Sequence, residues 1–350
     1  MGHCIKYTVM VRRCIMFNYL NENKMTEQAR TEGKTYSPFA LVLIYFAVMI
    51  IVNVVTNIVM TPVLMLLLSE SADFKPFLTS LMQADYSSAA EIFYKLLNGL
   101  PEWINIFSLF LQLVLLIAAV VFCRFVEKRS VASMGFRRGQ IIPEYLKGLF
   151  AGAVMMTVVV MLIRLSGAAV FEGWRRFSVP TVIFYFIGYM IFGLAEEALI
   201  HGFFMTSSAK SSSLAYSLIM SSVLFSFTNS MNSGASVLCS VNVFMLGLFS
   251  GLCVMRRGNL WGMGAFHAAW NFTQSVIFGF GMSSESSRTS IMKFTGIEGY
   301  DSLNGGIYGL EGGLIVTLVL FLAIGAVLIS KPNSREAVIR AVPESGEENK

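Results

Sequence analysis

Two adjacent carboxylates, Glu196 and Glu197, lie inside an apolar stretch of the sequence and are followed by His201. Residues four apart share one face of a helix, so Glu197 and His201 can pair. Glu196 then points about 100° away around the helix and is free to face a cavity. A carboxylate held away from bulk water can act as a general base on a bound water molecule. A polar clamp between two helices is the other role that fits this pattern.

A second polar pair lies in the stretch that starts at Trp261, where His267 and Asn271 are also four residues apart. A single histidine here would more often pack between helices, whereas histidine and asparagine together on one face indicate a site. Glu196 lies about ten residues from the end of its apolar segment, and His267 lies about seven from the start of its own. At 1.5 Å per residue both lie roughly 10–15 Å below the same membrane face, so we expect them in one layer.

The composition is that of a membrane protein. Hydrophobic residues make up 55% of the 350 residues and charged residues only 13%, with a mean hydropathy of +0.66. Soluble domains carry about a quarter charged residues. The net charge of +5 is modest and requires no nucleic-acid partner. We therefore expect membrane lipid, and no nucleic acid, around this chain.

Membrane helices must position the polar pairs. A helix needs about 20 apolar residues to cross the hydrocarbon core. The pattern predicts an all-α, polytopic membrane protein with about eight transmembrane helices, the first of them kinked or tilted at Pro62. The predicted spans are 39–68, 104–126, 146–170, 179–205, 213–230, 236–255, 260–281 and 313–331.

Lysine and arginine concentrate in alternate connections, which predicts the orientation. With eight spans, the basic connections and both termini lie on the cytoplasmic side of a cell membrane, and Arg175 and Arg176 are the exception. The connection 69–103 then lies outside, and its segment 86–98 has the pattern of an interfacial amphipathic helix. The basic residues counted in these connections and in the tail are Lys128, Arg129, Arg137, Arg138, Lys210, Arg256, Arg257, Lys331, Arg335 and Arg340.

Composition divides the chain into three parts. Residues 1–37 are a polar cytoplasmic leader, 38–331 a transmembrane helical domain, and 332–350 a charged cytoplasmic tail that we expect to be disordered. Met25 is a second candidate for the first translated residue. The five cysteines form no CxxC pair and three lie in apolar runs, so we expect packing roles rather than structural zinc or disulfides.

Three motifs, taken in order, resemble those of the CPBP intramembrane proteases, a family that includes the type II CAAX prenyl endopeptidases. The family series is EExxxR, then FxxxH, then HxxxN or HxxxD. The resemblance covers about residues 125–330, and the stretch 309–312 before the last span also looks like family members. The residues at the motif positions are Glu196, Glu197, His201, Phe225, Asn229, His267 and Asn271.

Two motif positions depart from the family. His201 replaces an arginine that holds the second glutamate, so a protonated His201 would hold Glu197 here. Asn229 replaces a histidine; it can donate a hydrogen bond to an oxyanion but is no base and a poor metal ligand. A metal site would use His267 and a glutamate, Glu196 first, with His201. Zinc is compatible with the sequence, as in a metalloprotease, but is not required by it.

The resemblance implies a hydrolase, an intramembrane endopeptidase that cuts membrane-bound or lipidated peptides. Glu196 would activate water with help from His267. Asn271, together with Asn229, would stabilise the oxyanion. Glu197 and His201 would hold the helix. A cavity open toward the cytoplasm would admit water and peptide.

Two other functions stay open. A catalytically degenerate family member would keep the fold and act as a membrane regulator, scaffold or bacteriocin-immunity protein. Asn229 in place of histidine favours this reading, and the retained glutamate pair, His267 and Asn271 oppose it. A transporter would bind a proton or cation at the acidic pair, but the sequence has neither an inverted repeat nor a pair of interrupted helices.

Overall fold

The computed structural model describes residues 24–230, 236–281 and 289–330. Helices dominate these residues. The α-helices longer than three residues are α1 (Lys24–Thr31), α2 (Pro38–Ser69), α3 (Phe74–Met82), α4 (Tyr86–Gly99), α5 (Trp103–Val121), α6 (Ile141–Leu165), α7 (Val179–Glu197), α8 (Leu214–Ser230), α9 (Val237–Arg257), α10 (Trp261–Phe272), α11 (Asp301–Asn304) and α12 (Leu314–Ile329). Short π-helical segments prolong α5, α7 and α10; they are Phe122–Val126, Ala198–Met205 and Thr273–Ile277.

The predicted all-α, polytopic membrane fold is confirmed. Within the described residues, five helical segments are long and apolar enough to cross a membrane: Pro38–Ser69, Trp103–Val126, Ile141–Leu165, Val179–Ser208 and Val237–Arg257. The predicted total of about eight is not established by this criterion. The helices α8, α10 and α12 lie where spans were predicted but have 17, 12 and 16 residues, fewer than the roughly 20 that a crossing helix needs.

Contacts between connecting segments define one end of the helix bundle, which we name the basic face. Arg30 Nε donates to the Ala209 carbonyl at 3.0 Å, and Arg257 pairs with Glu144 at 3.0 Å. Segments that were predicted to share the cytoplasmic side therefore lie together, although their side of the membrane stays a prediction. The basic face is formed by residues 24–36, 127–144, 209–213 and 256–261.

Arg129 lies in one of the basic connections, but its side chain is fully buried. It pairs with Glu127 and donates to the Gly202 carbonyl at 2.8 Å and to Ser133 Oγ at 3.0 Å. A widened π-helix leaves carbonyl groups without their regular partners, and the guanidinium has enough donors to satisfy several of them. Arg129 therefore fastens the end of the α7 span to the connection after α5.

Two short strands, β1 (Ala169–Trp174) and β2 (Met292–Gly296), pair antiparallel and were not predicted. Predicted span three reached residue 170, whereas α6 ends at Leu165. A short apolar run rich in aromatic and β-branched residues cannot be told from the end of a helix by its pattern. Since α6 and α10 both begin at the basic face, β1 and β2 mark the opposite end of the bundle, which we name the far face.

Close backbone contact holds α10 against α7. A Cβ atom at Gly193 would lie 2.6 Å from both the Ala268 nitrogen and the Gly264 carbonyl oxygen, a distance that real Cβ atoms do not tolerate. Small residues permit such contacts between membrane helices. Gly193 therefore brings the carboxylates that follow it on α7 to the level of His267 on α10.

Candidate active site

Glu197 and His201 form a buried pair in which Glu197 Oε2 lies 2.7 Å from His201 Nδ1. His201 Nε2 lies 3.2 Å from the carbonyl oxygen of Gly247 on α9. Both ring nitrogens therefore face oxygen acceptors, and only the doubly protonated imidazolium can donate to both. A Cβ atom at Gly251 would lie 3.1 Å from His201 Nε2, so this glycine leaves the ring its space.

His267 lies between the two glutamates. Its Nε2 is 3.5 Å from Glu196 Oε2, and its Nδ1 is 3.6 Å from Glu197 Oε1. The rings of Phe192 and Phe225 meet the imidazole edge to face, with centroids 5.7 and 6.0 Å away. The aromatic rings restrict the imidazole to the plane in which its two nitrogens reach the two carboxylates.

Glu196 and His267 lie on the wall of a cavity of about 1430 Å³. Its α2 wall runs from Phe46 to Pro62, and Asn229 belongs to the last turn of α8. The cavity therefore extends from the level of Glu196 toward the far face. None of the described residues that line it belongs to the basic face. Contacts among the basic-face segments close the other end. The cytoplasmic opening that the resemblance implied stays a prediction, because nothing here shows on which side of the membrane the far face lies.

Asn271 lines the same cavity, one turn after His267. Its side chain is buried, and among the described residues its Nδ2 has no hydrogen-bond partner. Buried amide groups are almost always paired, since an unpaired one costs about 1–3 kcal/mol. An unpaired donor on a cavity wall is suited to a ligand oxygen.

Asn229 and Phe225 are also brought to the cavity wall. Asn229 Nδ2 donates one hydrogen bond to the Phe225 carbonyl at 3.0 Å. An amide nitrogen carries two hydrogens, and the second donor of Asn229 has no partner among the described residues, so it can serve a ligand. No hydrogen bond or ion pair joins Asn229 to Glu196 or His267 within the described part of the chain.

A third carboxylate, Glu311, lines the cavity and was assigned no role by the sequence. Trp270 Nε1 and Gln274 Nε2 donate to its two oxygens at 2.9 and 3.1 Å. Trp270 and Gln274 are four residues apart on the helix that carries His267. Glu311 therefore ties the segment before α12 to that helix. The motif-like stretch 309–312 was the only signal for it, and it said nothing about its partners.

The donor set does not fit a catalytic zinc. Such a site takes three protein ligands from histidine, cysteine or carboxylate side chains. His267 and Glu196 can supply two, but Asn229 replaces the histidine of the second motif. His201 is not available as a third, because its two nitrogens are bonded to Glu197 and Gly247. The searched residues contain no group of three or more His, Cys, Asp or Glu that could hold a metal.

Comparison with protein-family models matches residues 178–273 to the family described as Rce1-like type II CAAX prenyl endopeptidase. The matched segment runs from the start of α7 into the end of α10 and contains all seven predicted site residues. The predicted resemblance is thereby confirmed for this segment. At the family level the match supports an intramembrane protease with membrane-associated peptide substrates. No curated protein and no solved structure matches the chain.

Proposed function

We propose that this chain is an intramembrane endopeptidase that hydrolyses membrane-bound or lipidated peptides. Glu196 and His267 carry the proposal, because they meet at 3.5 Å on the wall of a cavity between apolar helices. Ionisable groups at this depth are costly in lipid and mark functional sites. The family match over residues 178–273 supports the same reaction class.

Hydrolysis needs a base, an oxyanion donor and a proton for the leaving group. Glu196 takes a proton from a water molecule while the water oxygen attacks the carbonyl carbon of the scissile peptide bond. The carbonyl oxygen becomes an oxyanion and accepts a hydrogen bond from Asn271 Nδ2. When the C–N bond breaks, Glu196 returns its proton to the leaving amine. His267 orients the Glu196 carboxylate throughout.

Three further residues support this arrangement. His201 holds Glu197, and Glu197 in turn contacts the second nitrogen of His267. The second N–H of Asn229, which has no partner among the described residues, supplies a second hydrogen bond to the oxyanion. No step requires Asn229 to carry a proton, so the reaction can proceed without the family's histidine.

We also propose that the chain resides in a cell membrane with the basic face and both termini on the cytoplasmic side. Short connections rich in lysine and arginine stay on that side. Residues 1–23 of the predicted leader and the predicted tail 332–350 lie outside the described residues. Helix α1 occupies part of the leader, and Gln28 and Glu32 contact Ser130 on the basic face.

Cleavage by purified protein in nanodiscs tests the proposal. The substrates are farnesylated and unmodified membrane peptides, and the matched control is Glu196→Gln, which keeps the side chain's shape but removes the base. We expect cleavage by the native chain and a loss of at least about 100-fold in the variant. Cleavage that Glu196→Gln leaves unchanged would contradict the assignment of the base.

A catalytically degenerate member is the second candidate, and the hydrogen bond from Asn229 to its own helix favours it. Such a protein would act as a membrane regulator, scaffold or immunity protein. Asn229→His distinguishes the two. If the native chain cleaves none of the peptides and Asn229→His gains cleavage, the native chain is a disabled protease and its role is binding.

A further inference from the structure

Four polar side chains on α2 line the cavity: Asn53, Thr56, Asn57 and Thr61. We propose that three of them, Asn53, Asn57 and Thr61, form a ladder that binds the backbone of a substrate peptide in extended conformation. We name this set the α2 ladder. The inference rests on the proposed function and deepens it, because it specifies how the peptide lies in the site.

The spacing of the ladder matches an extended peptide. Its members are four residues apart, which is about 6.0 Å along a helix axis. Alternate residues of an extended strand are about 6.6–6.8 Å apart and present their backbone groups to the same side. Successive rungs can therefore meet every second peptide group of a strand that lies along α2.

The ladder has unused hydrogen-bonding capacity. Asn53 Nδ2 donates to the Met49 carbonyl at 3.0 Å, and Asn57 Nδ2 donates to the Asn53 carbonyl at 2.8 Å. Among the described residues, no donor reaches the side-chain oxygen of either asparagine. Pro62 lacks an N–H group, so the backbone carbonyl of Ile58 loses its helical partner as well. These oxygens can accept hydrogen bonds from peptide N–H groups.

Within the part of the chain that the structure describes, the ladder has no structural partner that would explain it. The side-chain hydrogen bonds of Asn53 and Asn57 stay within α2, so they fasten no second helix. Apart from its last residue, Ser69, the exposed α2 residues that do not line the cavity are apolar, as at Ile51, Val55 and Val59. Polar groups in a membrane helix are expensive where lipid surrounds them. Their restriction to the cavity side indicates a polar occupant.

A second observation points to the same occupant. The unpaired Asn271 Nδ2 lies on the wall of this cavity with Glu196, where the peptide carbonyl would be attacked. From Asn53 to Thr61 the ladder covers about 12 Å, which is roughly four residues of extended chain. We infer that the substrate is a membrane-inserted segment that unwinds over about four residues toward the far face, with apolar side chains against Ile50, Val54 and Ile58.

Binding to the Glu196→Gln variant tests the ladder separately from catalysis. The probes are a fluorescent farnesylated peptide and an unmodified membrane peptide in nanodiscs, each N-methylated at one residue at a time. N-methylation removes one N–H donor, which should weaken binding by about fivefold where a ladder bond is lost. We expect this loss at every second residue and little change at the intervening ones.

The double variant Asn53→Leu/Asn57→Leu, in the same Glu196→Gln background, should abolish the alternating effect of N-methylation on binding. Leucine is well suited to a membrane helix, so we expect this variant to fold. Val55→Leu, on the side of α2 away from the cavity, should leave the alternation unchanged. If wild type cleaves a peptide whose binding to Glu196→Gln does not alternate with the position of N-methylation, the ladder is wrong but the proposed protease activity is supported. If neither probe binds or is cleaved, both proposals fail.

Discussion

His201 Nδ1 lies 2.7 Å from Glu197 Oε2, one helical turn away, and the two side chains are only 1% and 2% exposed. Nε2 of the same ring meets the Gly247 carbonyl, so a doubly protonated ring would donate to both oxygens, which is the role that the resemblance assigns to arginine. Without that positive charge, Glu197 would be a buried charge without a full partner. Such groups destabilise proteins strongly.

Replacing His201 by arginine or alanine tests this role. We expect His201→Arg to retain peptide cleavage within about tenfold, since a guanidinium can also serve both Glu197 and Gly247. His201→Ala should lose cleavage and lower the free energy of unfolding by about 3–5 kcal/mol, the usual effect of breaking a buried pair. Cleavage assays and thermal unfolding in nanodiscs measure both effects. Equal behaviour of the two variants would contradict the pairing.

Asn271→Leu should separate catalysis from stability. The change removes the Nδ2 donor but breaks no protein hydrogen bond, because that donor has no partner among the described residues. We expect kcat to fall about 100- to 1000-fold, as for the loss of an oxyanion donor, with little change in KM or melting temperature. A large rise in KM with an unchanged kcat would instead assign Asn271 to substrate binding.

The membrane helices and the paired site residues could be predicted because both depend on local pattern. Runs of about 20 apolar residues predict a membrane helix. A spacing of four residues on a helix places Glu197 beside His201 independently of the tertiary structure. The expected common depth of Glu196 and His267 needed only the helix rise. Their 3.5 Å contact requires α7 and α10 to be neighbours, and no local pattern predicts which helices are neighbours.

The remaining features depend on contacts between distant segments. The burial of Arg129 could not be predicted, because its partners lie as far along the chain as Ser207. β1 looked like the end of a helix until β2, more than a hundred residues later, paired with it. The sequence likewise could not show that the polar residues on α2 face a cavity, because the cavity is formed by several distant segments. Chemistry that arises from tertiary packing leaves little trace in a single sequence.

Gly193→Ala should reduce cleavage by changing the distance between α7 and α10. The added Cβ would lie 2.6 Å from two α10 backbone atoms, so α7 and α10 must separate and Glu196 must move away from His267. We expect cleavage to fall by more than tenfold together with the melting temperature. Gly325→Ala is the matched control, since nothing lies within 4 Å of a Cβ there and alanine favours a helix by about 1 kcal/mol. Equal effects of both changes would argue against the contact.

The attachment of α1 to the basic face should depend on pH through Glu32. Burial acts to raise its pKa, but hydrogen bonds from Ser130 and Gln28 outweigh burial and hold the pKa below its ordinary value. A carboxyl with a lowered folded pKa stabilises the fold fully above its unfolded pKa of about 4.3 and loses that effect as the pH falls through the folded pKa. Glu32→Gln should therefore melt lower than wild type near pH 6.

The difference between wild type and Glu32→Gln should shrink as the pH falls below about 4. Thermal scans from pH 3 to pH 7 in nanodiscs measure it. Glu298→Gln, at an exposed carboxyl distant from α1, is the control for a general effect of removing one negative charge. A difference that grows toward acid pH would show that the carboxylate form of Glu32 is not the stabilising one.

Cysteine labelling at Thr61 tests on which side the cavity opens. Thr61 lines the cavity and is exposed, whereas Arg138 is exposed on the basic face. In a variant without native cysteines, a membrane-impermeant thiol reagent should label Thr61→Cys in intact cells and Arg138→Cys only after permeabilisation. This pattern follows if the basic face is cytoplasmic, as its lysines and arginines predict. The reverse pattern would place the cavity, and hence the peptide's entry, on the cytoplasmic side.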